Sequence, residues 1–192
     1  KFYREKFKLT QEQLGKDICS ITHISKIECN RTTFNKEIIN LLSERLGINM
    51  EIEIKKLINI KHRLSQWHDA IIMQLADEIE QINLELECEE LIEISDYIQL
   101  YQLLRVRYFL IHNQTREAEK TIKKIQKIEN ELTDFESNLL KHVLGIYYLA
   151  NQDHSKAIQT LKQIQIDYYH NPEYYYHLAI AYHTINSPVL AY

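Results

Sequence analysis

Residues that could support catalysis or metal binding are present in this chain, but their spacing matches no catalytic or metal motif. The 192 residues include nine histidines, none in an H-E-x-x-H motif, and three cysteines, none in a C-x-x-C pair. Adjacent carboxylates such as Glu89 and Glu90 lie in a polar stretch with nothing nearby to raise a pKa for acid–base work. Nucleophile-elbow and phosphate-loop motifs are absent from the sequence. We therefore predict a protein that is not an enzyme and that uses no metal and no cofactor.

Polar residues near the N-terminus mark the ends of three short helices. Thr10, with Gln13 three residues later, forms a capping box that predicts a helix beginning at the next residue. Ser20 is placed to cap a second helix and Asn35 a third, which Gly47 ends. Two short helices joined by a tight turn are the geometry of a helix-turn-helix.

The second of these helices carries polar and basic side chains on one face. The 3.6-residue period turns Ile24 and Ile27 inward and leaves Thr22, His23 and Lys26 on the opposite side. No acidic residue lies on that face before the last turn of the helix. This face is the candidate for contact with a polyanion.

The segment from residue 10 to residue 30 resembles the phage-repressor (Cro/C1) type of DNA-binding domain. That type follows the pattern T-Q-x-x-L-[AG] and then [IV]-S-x-[IV]-E-x-[GN]. The matching residues here are Thr10, Gln11, Leu14, Gly15, Ile24, Ser25, Ile27, Glu28 and Asn30. Two features depart from the phage pattern: the link between the helices is one residue shorter, and Phe34 stands where a proline is usual. The shorter link is similar to that of the peptide-sensing regulators of Gram-positive bacteria, the Rap/Npr/Plc/Prg group.

This resemblance implies which residues would contact DNA. Gln11, at its helix N-terminus, would hold one phosphate and Arg31 another. In the major groove, Lys26 would donate to guanine and Ile21 would touch a thymine methyl group. The resulting set is Gln11, Ser20, Ile21, Thr22, His23, Lys26 and Arg31. The alternative for this region is a helical domain that only dimerises.

From residue 52 onward the apolar pattern is helical and repeats every 34 residues. The repeated positions are Leu144, Gly145, Tyr148 and Ala157, and then Leu178, Ala179, Tyr182 and Ala191. A weaker copy begins near residue 106, offset by 39. The spacing resembles the tetratricopeptide repeat, in which a small residue lets the first helix approach the second. Because the last copy is unfinished, we expect the chain to belong to a longer polypeptide.

The repeat resemblance implies a concave groove lined by the first helix of each pair. A groove of mixed polar and aliphatic residues suits a short extended peptide, whose acidic group would pair with Arg107. The predicted peptide-binding set is Leu103, Arg107, Leu110, His142, Ile146, Tyr176, Ile180 and His183. The alternative is that these residues face water or further repeats.

Composition and charge agree with an all-α chain in two parts. Three glycines and two prolines are too few for the many reversals of a β-sandwich or barrel. Residues 1–46 hold nine basic and six acidic residues, a net charge of +3, whereas the remainder carries −7. We predict a helix-turn-helix DNA-binding domain over 1–47, a connecting helix over 48–66 and a repeat solenoid over 67–192.

These features together predict a cytoplasmic transcription regulator of the quorum-sensing type. Two copies would form a homodimer on a pseudo-palindromic operator in double-stranded DNA, and the repeat domain would sense a short signalling peptide. No run of 18 apolar residues is present, so we expect no membrane partner. Two alternatives stay open: a repeat scaffold that binds and inhibits a signalling protein, and a phage or plasmid repressor without a peptide ligand.

Overall fold

The computed structural model describes residues 1–33 and 35–185, and within these ranges the regular elements are all helical. The α-helices are α1 (Phe2–Lys6), α2 (Gln11–Gly15), α3 (Ile21–Glu28), α4 (Lys36–Leu46), α5 (Met50–Met73), α6 (Ala76–Glu87), α7 (Ile98–Ile111), α8 (Thr115–Gln126), α9 (Asp134–Ala150), α10 (His154–Leu161) and α11 (Glu173–Thr184). Short 3-10 turns lie at Glu90–Ile94, Glu129–Glu131 and Ile166–Tyr168. The all-α prediction is confirmed. Phe34 and the predicted repeat residue Ala191 lie outside the described residues.

The first of two compact units covers residues 1–59, and its helices begin where the polar residues predict. The Thr10 hydroxyl accepts from the Gln13 N–H at 3.0 Å, and the Gln13 side chain accepts from the Thr10 N–H at 2.8 Å. Ser20 caps α3 and Asn35 caps α4. Gly47 ends α4 at a φ of +65°, a left-handed conformation that glycine adopts without strain. The predicted caps are therefore confirmed.

Leu14, Ile24 and Leu42, from α2, α3 and α4, form the buried core of the first unit. Gly15 lets α2 approach α3, since a Cβ there would lie 3.1 Å from the Cγ1 atom of Ile24. This packing fixes the angle between the two helices of the helix-turn-helix.

The short link between α2 and α3 turns at Asp17, which adopts a left-handed φ of 59°. Arg45 of α4 donates from Nη1 to the carbonyl oxygens of Leu14, at 3.1 Å, and of Lys16. Carbonyls at the end of a helix lack partners within the helix. Arg45 therefore satisfies the end of α2 and ties α4 to the link.

The helix α5 departs from the predicted boundary at residue 67, because it is one continuous helix of 24 residues. No glycine or proline interrupts the sequence between Gly47 and Gly145, so nothing local ends a helix near residue 66. The chain divides into its two units within α5, between Asn59 and Ile60. The buried residues of α5 all lie in the part of the helix that belongs to the second unit: Ile60, Leu64, Trp67, Ala70 and Ile71.

The second unit contains the predicted helix pairs. Helix α7 packs on α8 and α9 packs on α10, while α7 also contacts α9 and α10 contacts α11. Each pair turns at a left-handed residue, Asn113 and Gln152, which are 39 positions apart. Gly145 of α9 meets Leu161 of α10 where the helices cross. The tetratricopeptide-like repeat is confirmed. Within the described ranges no helix has the length and apolar character needed to cross a membrane.

Candidate functional site

The outer face of α3 presents the side chains predicted to meet DNA. Ile21 is 49% exposed, and Thr22 and Lys26 are exposed beside it. His23 is half-buried, and its Nε2 atom is buried without a hydrogen-bond partner. The Ser20 hydroxyl accepts from the His23 N–H at 3.2 Å and so serves as the cap of α3.

Arg31 follows α3 and is exposed, because Asn30 turns the chain at a left-handed φ of 53°. Asn30 thus ends the helix region as its residue type predicts. Within the described part of the chain, neither Lys26 nor Arg31 forms an ion pair.

Gln11 lies at the N-terminus of α2 as predicted, but its side chain is engaged within the protein. Its Nε2 atom donates to Oε2 of Glu28 at 2.9 Å. Arg4 donates to the same carboxylate, from Nε to Oε1 at 2.6 Å and from Nη2 to Oε2 at 3.1 Å. The Glu28 side chain is only 7% exposed, so it requires these donors. The Gln11 side chain is therefore occupied within the protein, and its contact with a phosphate stays a prediction.

The Arg4 guanidinium, followed by the Gln11 amide, holds the pKa of Glu28 down at about 2, against the opposing effect of burial. Arg4 also donates to the carbonyl of Leu9 at 2.9 Å, so it connects α1 to both α3 and the chain before α2. Sequence reasoning did not identify Arg4. Its residue type alone gave no sign of a partner 24 positions away.

A cavity of about 360 Å³ lies in the second unit among α5, α6, α7, α9 and α11. Its lining combines aliphatic side chains with charged and polar ones. The aliphatic residues include Ile71, Ile79, Leu110, Ile111 and Ile146. The polar residues are Gln74, Glu80, Arg107, His112, Glu173 and His177.

The predicted peptide-binding residues divide into three groups around this cavity. Arg107, Leu110 and Ile146 line it, as the groove prediction requires. Tyr176 is 61% exposed and borders a separate shallow depression with Pro172 and Glu173. Elsewhere on α11, Ile180 is half-buried and His183 exposed, and neither lines the cavity.

Leu103 and His142 do not face a groove, and the prediction for these two residues is wrong. Both are fully buried. Leu103 is apolar and packs in the core between the helices. His142 is held inside by hydrogen bonds: its Nδ1 lies 2.8 Å from the Tyr169 hydroxyl, and its Nε2 lies 2.9 Å from Nδ1 of His177.

Arg107 is 4% exposed and forms an ion pair with Glu173, Nη2 to Oε1, at 2.6 Å. Burial, followed by the positive charge of Arg107, lowers the pKa of His68 to about 4 and that of His142 well below its ordinary value. Burial likewise lowers the pKa of His177. The Arg107 charge thus adds to burial in lowering the pKa of all three imidazoles.

Elsewhere in the cavity lining, Glu80 accepts hydrogen bonds from its own neighbours. Tyr108 donates from its hydroxyl to Oε2 of Glu80 at 3.0 Å, and His112 Nε2 lies 2.7 Å from Oε1. Among the residues that the structure describes, no group of three or more His, Cys, Asp or Glu side chains is arranged to hold a metal ion.

Comparison with known proteins gives matches to a domain family, to a curated relative and to a solved structure. Residues 1–52 match the helix-turn-helix family. The chain is 22% identical over 149 residues to the transcriptional activator NprA of Geobacillus stearothermophilus, covering 77% of this chain and 36% of that relative. It is also similar to the crystal structure of NprR in complex with its cognate peptide NprX, with a TM-score of 0.65 at 22% identity. That match covers 72% of this chain and 41% of NprR.

The chain thus spans little more than a third of the curated relative that it matches. In this chain the helix-turn-helix comes first and an all-helical repeat body follows. The predicted resemblance to the peptide-sensing helix-turn-helix regulators is confirmed, with residues 1–52 matching the helix-turn-helix family and the fold matching that of NprR.

Proposed function

We propose that this protein is a DNA-binding transcription regulator whose repeat body senses a short signalling peptide. The observation that carries the proposal is the outer face of α3, where Ile21, Thr22 and Lys26 are exposed on a helix locked in place by its core. Side chains of these types on a rigid second helix can meet base edges in the major groove. NprA, which is similar in sequence, is a transcriptional activator by name.

The cavity supports the peptide half of the proposal. It is bounded by the first helix of successive repeats and combines aliphatic surface with buried polar groups, as ligand pockets do. NprR, which is similar in fold, is crystallised with its cognate peptide. A peptide along this face would contact Arg107, Leu110 and Ile146, and its far end would reach the exposed residues of α11.

In this proposal the regulator acts in the cytoplasm as a homodimer on a pseudo-palindromic operator. Two copies of α3 would enter successive major grooves about one helical turn apart. The peptide would act by changing the curvature of the repeats and hence the spacing of the two DNA-binding units.

DNA binding is tested by fluorescence anisotropy with a labelled duplex of mixed sequence. The double variant Lys26→Ala/Arg31→Ala removes two exposed cations near α3, so its affinity should fall and the salt slope of its binding should decrease by about one to two. The matched control, Lys120→Ala/Lys124→Ala on the exposed face of α8, changes net charge equally and should bind as the wild type does. Equal losses in both variants would mean that α3 has no special role.

Peptide binding is tested by panning a library of random short peptides against the full chain. Selected peptides should bind less tightly to Tyr176→Ala, because an exposed ring beside the cavity gives up contact area when truncated. Tyr168→Ala, which removes a ring of similar exposure that lines none of these pockets, is the control. Peptides that bind both variants equally would place the ligand elsewhere.

A further inference from the structure

Arg107, Glu173 and His177 form a polar wall on one side of the cavity in the second unit. Arg107 comes from α7, whereas Glu173 and His177 lie one turn apart on α11. The rest of the lining is mostly aliphatic, with Ile71 and Ile79 among its residues, and also includes Glu80. A ligand in this cavity therefore meets both hydrocarbon and hydrogen-bonding groups.

The Arg107 side chain has donor capacity that the protein does not use. A guanidinium carries five N–H groups. Nη2 donates to Glu173, but Nη1 is buried and has no hydrogen-bond partner within the described part of the chain. A buried cationic donor without an acceptor is costly, and an anionic acceptor satisfies it best.

The hydrogen bonds around His177 also indicate which of its ring nitrogens carries the proton and can donate it to a ligand. Asn171 can only donate from Nδ2, so the Tyr169 oxygen accepts from it at 3.1 Å and its own proton is directed to Nδ1 of His142. His142 then carries its proton on Nε2 and donates it to Nδ1 of His177. With this assignment the His177 proton lies on Nε2. The polar wall therefore holds two kinds of donor, Arg107 and His177.

Glu173 is the acceptor that Arg107 now uses, and it belongs to the protein itself. It is the first residue of α11, and its N–H donates to Oδ1 of Asn171 at 2.9 Å. Its side chain is 15% exposed, compared with 4% for Arg107. An incoming carboxylate would compete with Glu173 for the same guanidinium.

We propose that this cavity binds an aliphatic residue bearing a free carboxylate, the chemistry of a peptide C-terminus. The carboxylate pairs with Arg107 and accepts from His177, in competition with Glu173, and the aliphatic side chain packs against the aliphatic residues of the lining. A volume of about 360 Å³ lies near the small end of ligand sites, so it suits one terminal residue rather than a whole peptide. The inference rests on the proposed function and specifies the end of the peptide that is recognised.

The probe is N-acetyl-leucine, and its comparison compound is N-acetyl-leucinamide, which lacks only the negative charge. Both are titrated into the full chain, and dissociation constants are taken from NMR shifts of the cavity residues. The acid should bind about tenfold more tightly than the amide, the ratio expected for one hydrogen-bonded charge. Equal binding of the two compounds would overturn the carboxylate inference while leaving the cavity as a peptide site. Absence of binding by both would overturn the inference and the cavity's place in the proposed function, without touching DNA binding.

A variant that removes the competing carboxylate gives a second test. Glu173→Gln should raise the affinity for N-acetyl-leucine several-fold and leave that for the amide unchanged, because Arg107 is then released for the ligand. Glu117→Gln makes the same charge change on an exposed face of α8 and should alter neither affinity. A Glu173→Gln protein that is folded by circular dichroism yet binds the acid no better than wild type would contradict the proposed competition.

Discussion

Lys26 and Glu28 lie two residues apart on α3 but have opposite surroundings. Lys26 is exposed on the outer face, whereas Glu28 is turned inward and accepts from Arg4 and Gln11. The first side chain is available to a partner, and the second holds the first unit together. Substitutions at the two positions should therefore affect different measurements.

If Lys26 reads a base, Lys26→Ala should weaken binding to the operator by roughly 1–3 kcal/mol and relax the preference over a scrambled duplex. Gln11→Ala should weaken operator and scrambled duplex alike, because Gln11 supports Glu28 and the N-terminus of α2 rather than a base. Affinities of both variants on both duplexes decide the matter. Discrimination that persists in Lys26→Ala would remove this residue from base readout.

Glu28→Gln should lower the free energy of unfolding of the first unit by roughly 2 kcal/mol, because it breaks a partly buried ion pair. The pKa of Glu28 is lowered from 4.5 to about 2, so the unfolded state takes up the proton more readily. The stability that the ionised Glu28 side chain gives to the first unit is therefore fully present above pH 4.5 and is lost as the pH falls toward 2. Urea unfolding followed by NMR signals of residues 1–59 measures it, with the exposed Glu12→Gln as control. Similar losses in the two variants would contradict the ion-pair account.

Single-residue exposure in α3 was predictable, whereas the polar contacts of the second unit were not. A period of 3.6 residues settles which side of α3 faces inward, which is why Ile24 is buried and Lys26 exposed. The partner of Arg107 lies 66 positions away and that of His142 lies 27 away. Periodicity gives a helix face but not the neighbour that packs on it, and this is why His142 was placed in the groove.

The crossing of α9 and α10 depends on one missing side chain. A Cβ on Gly145 would lie 2.5 Å from the Cγ atom of Leu161, which is fully buried and cannot move away. We expect Gly145→Ala to lower the free energy of unfolding of the second unit by about 1–3 kcal/mol through overpacking. Leu161→Ala should lower the free energy of unfolding less in the Gly145→Ala background than in the wild type, because the smaller side chain relieves the overpacking. A double-mutant cycle in urea measures that coupling.

The matched control for this crossing is Gly15→Ala in α2. There the added carbon would lie 3.1 Å from the Cγ1 atom of Ile24. This distance is slightly shorter than an ordinary van der Waals contact, and a small shift of one side chain relieves it. Gly15→Ala should therefore cost little, since alanine also favours the helix. A cost equal to that of Gly145→Ala would mean that space at the crossing is not the cause.

Helix starts were easier to predict than helix ends. Thr10, Ser20 and Asn35 each cap a helix, because a side-chain oxygen near a helix N-terminus is a local signal. The sequence has no comparable signal near residue 66, so the connecting helix and the first repeat helix are one helix, α5. Where a compact unit begins depends on packing, which local residue types do not specify.

Across the whole molecule, the two units should respond to acid in different ranges. The second unit keeps His68 neutral, with its pKa lowered to about 4, whereas the unfolded chain takes up that proton near 6.5. Stability from His68 is therefore complete above pH 6.5 and is lost as pH falls toward 4. The first unit depends on Glu28 and should be unaffected until below pH 4.5.

Trp67 provides the measurement, because it is the one tryptophan of the sequence and is fully buried in the second unit. Urea unfolding followed by its fluorescence should show a lower free energy of unfolding at pH 5 than at pH 7. About 2 kcal/mol of that difference is expected from His68. His68→Gln should reduce this loss, and His62→Gln, at an exposed position on the same helix, should not. A pH-independent wild-type transition would contradict the role given to the buried imidazoles.

Selection from a pool of random duplexes by the full chain tests whether α3 reads DNA sequence. We expect enrichment of a pseudo-palindrome whose half-sites lie about 10 base pairs apart or a multiple of that spacing, because a symmetric dimer presents two copies of α3. A pool that stays unenriched after repeated rounds, with all duplexes bound equally, would contradict it.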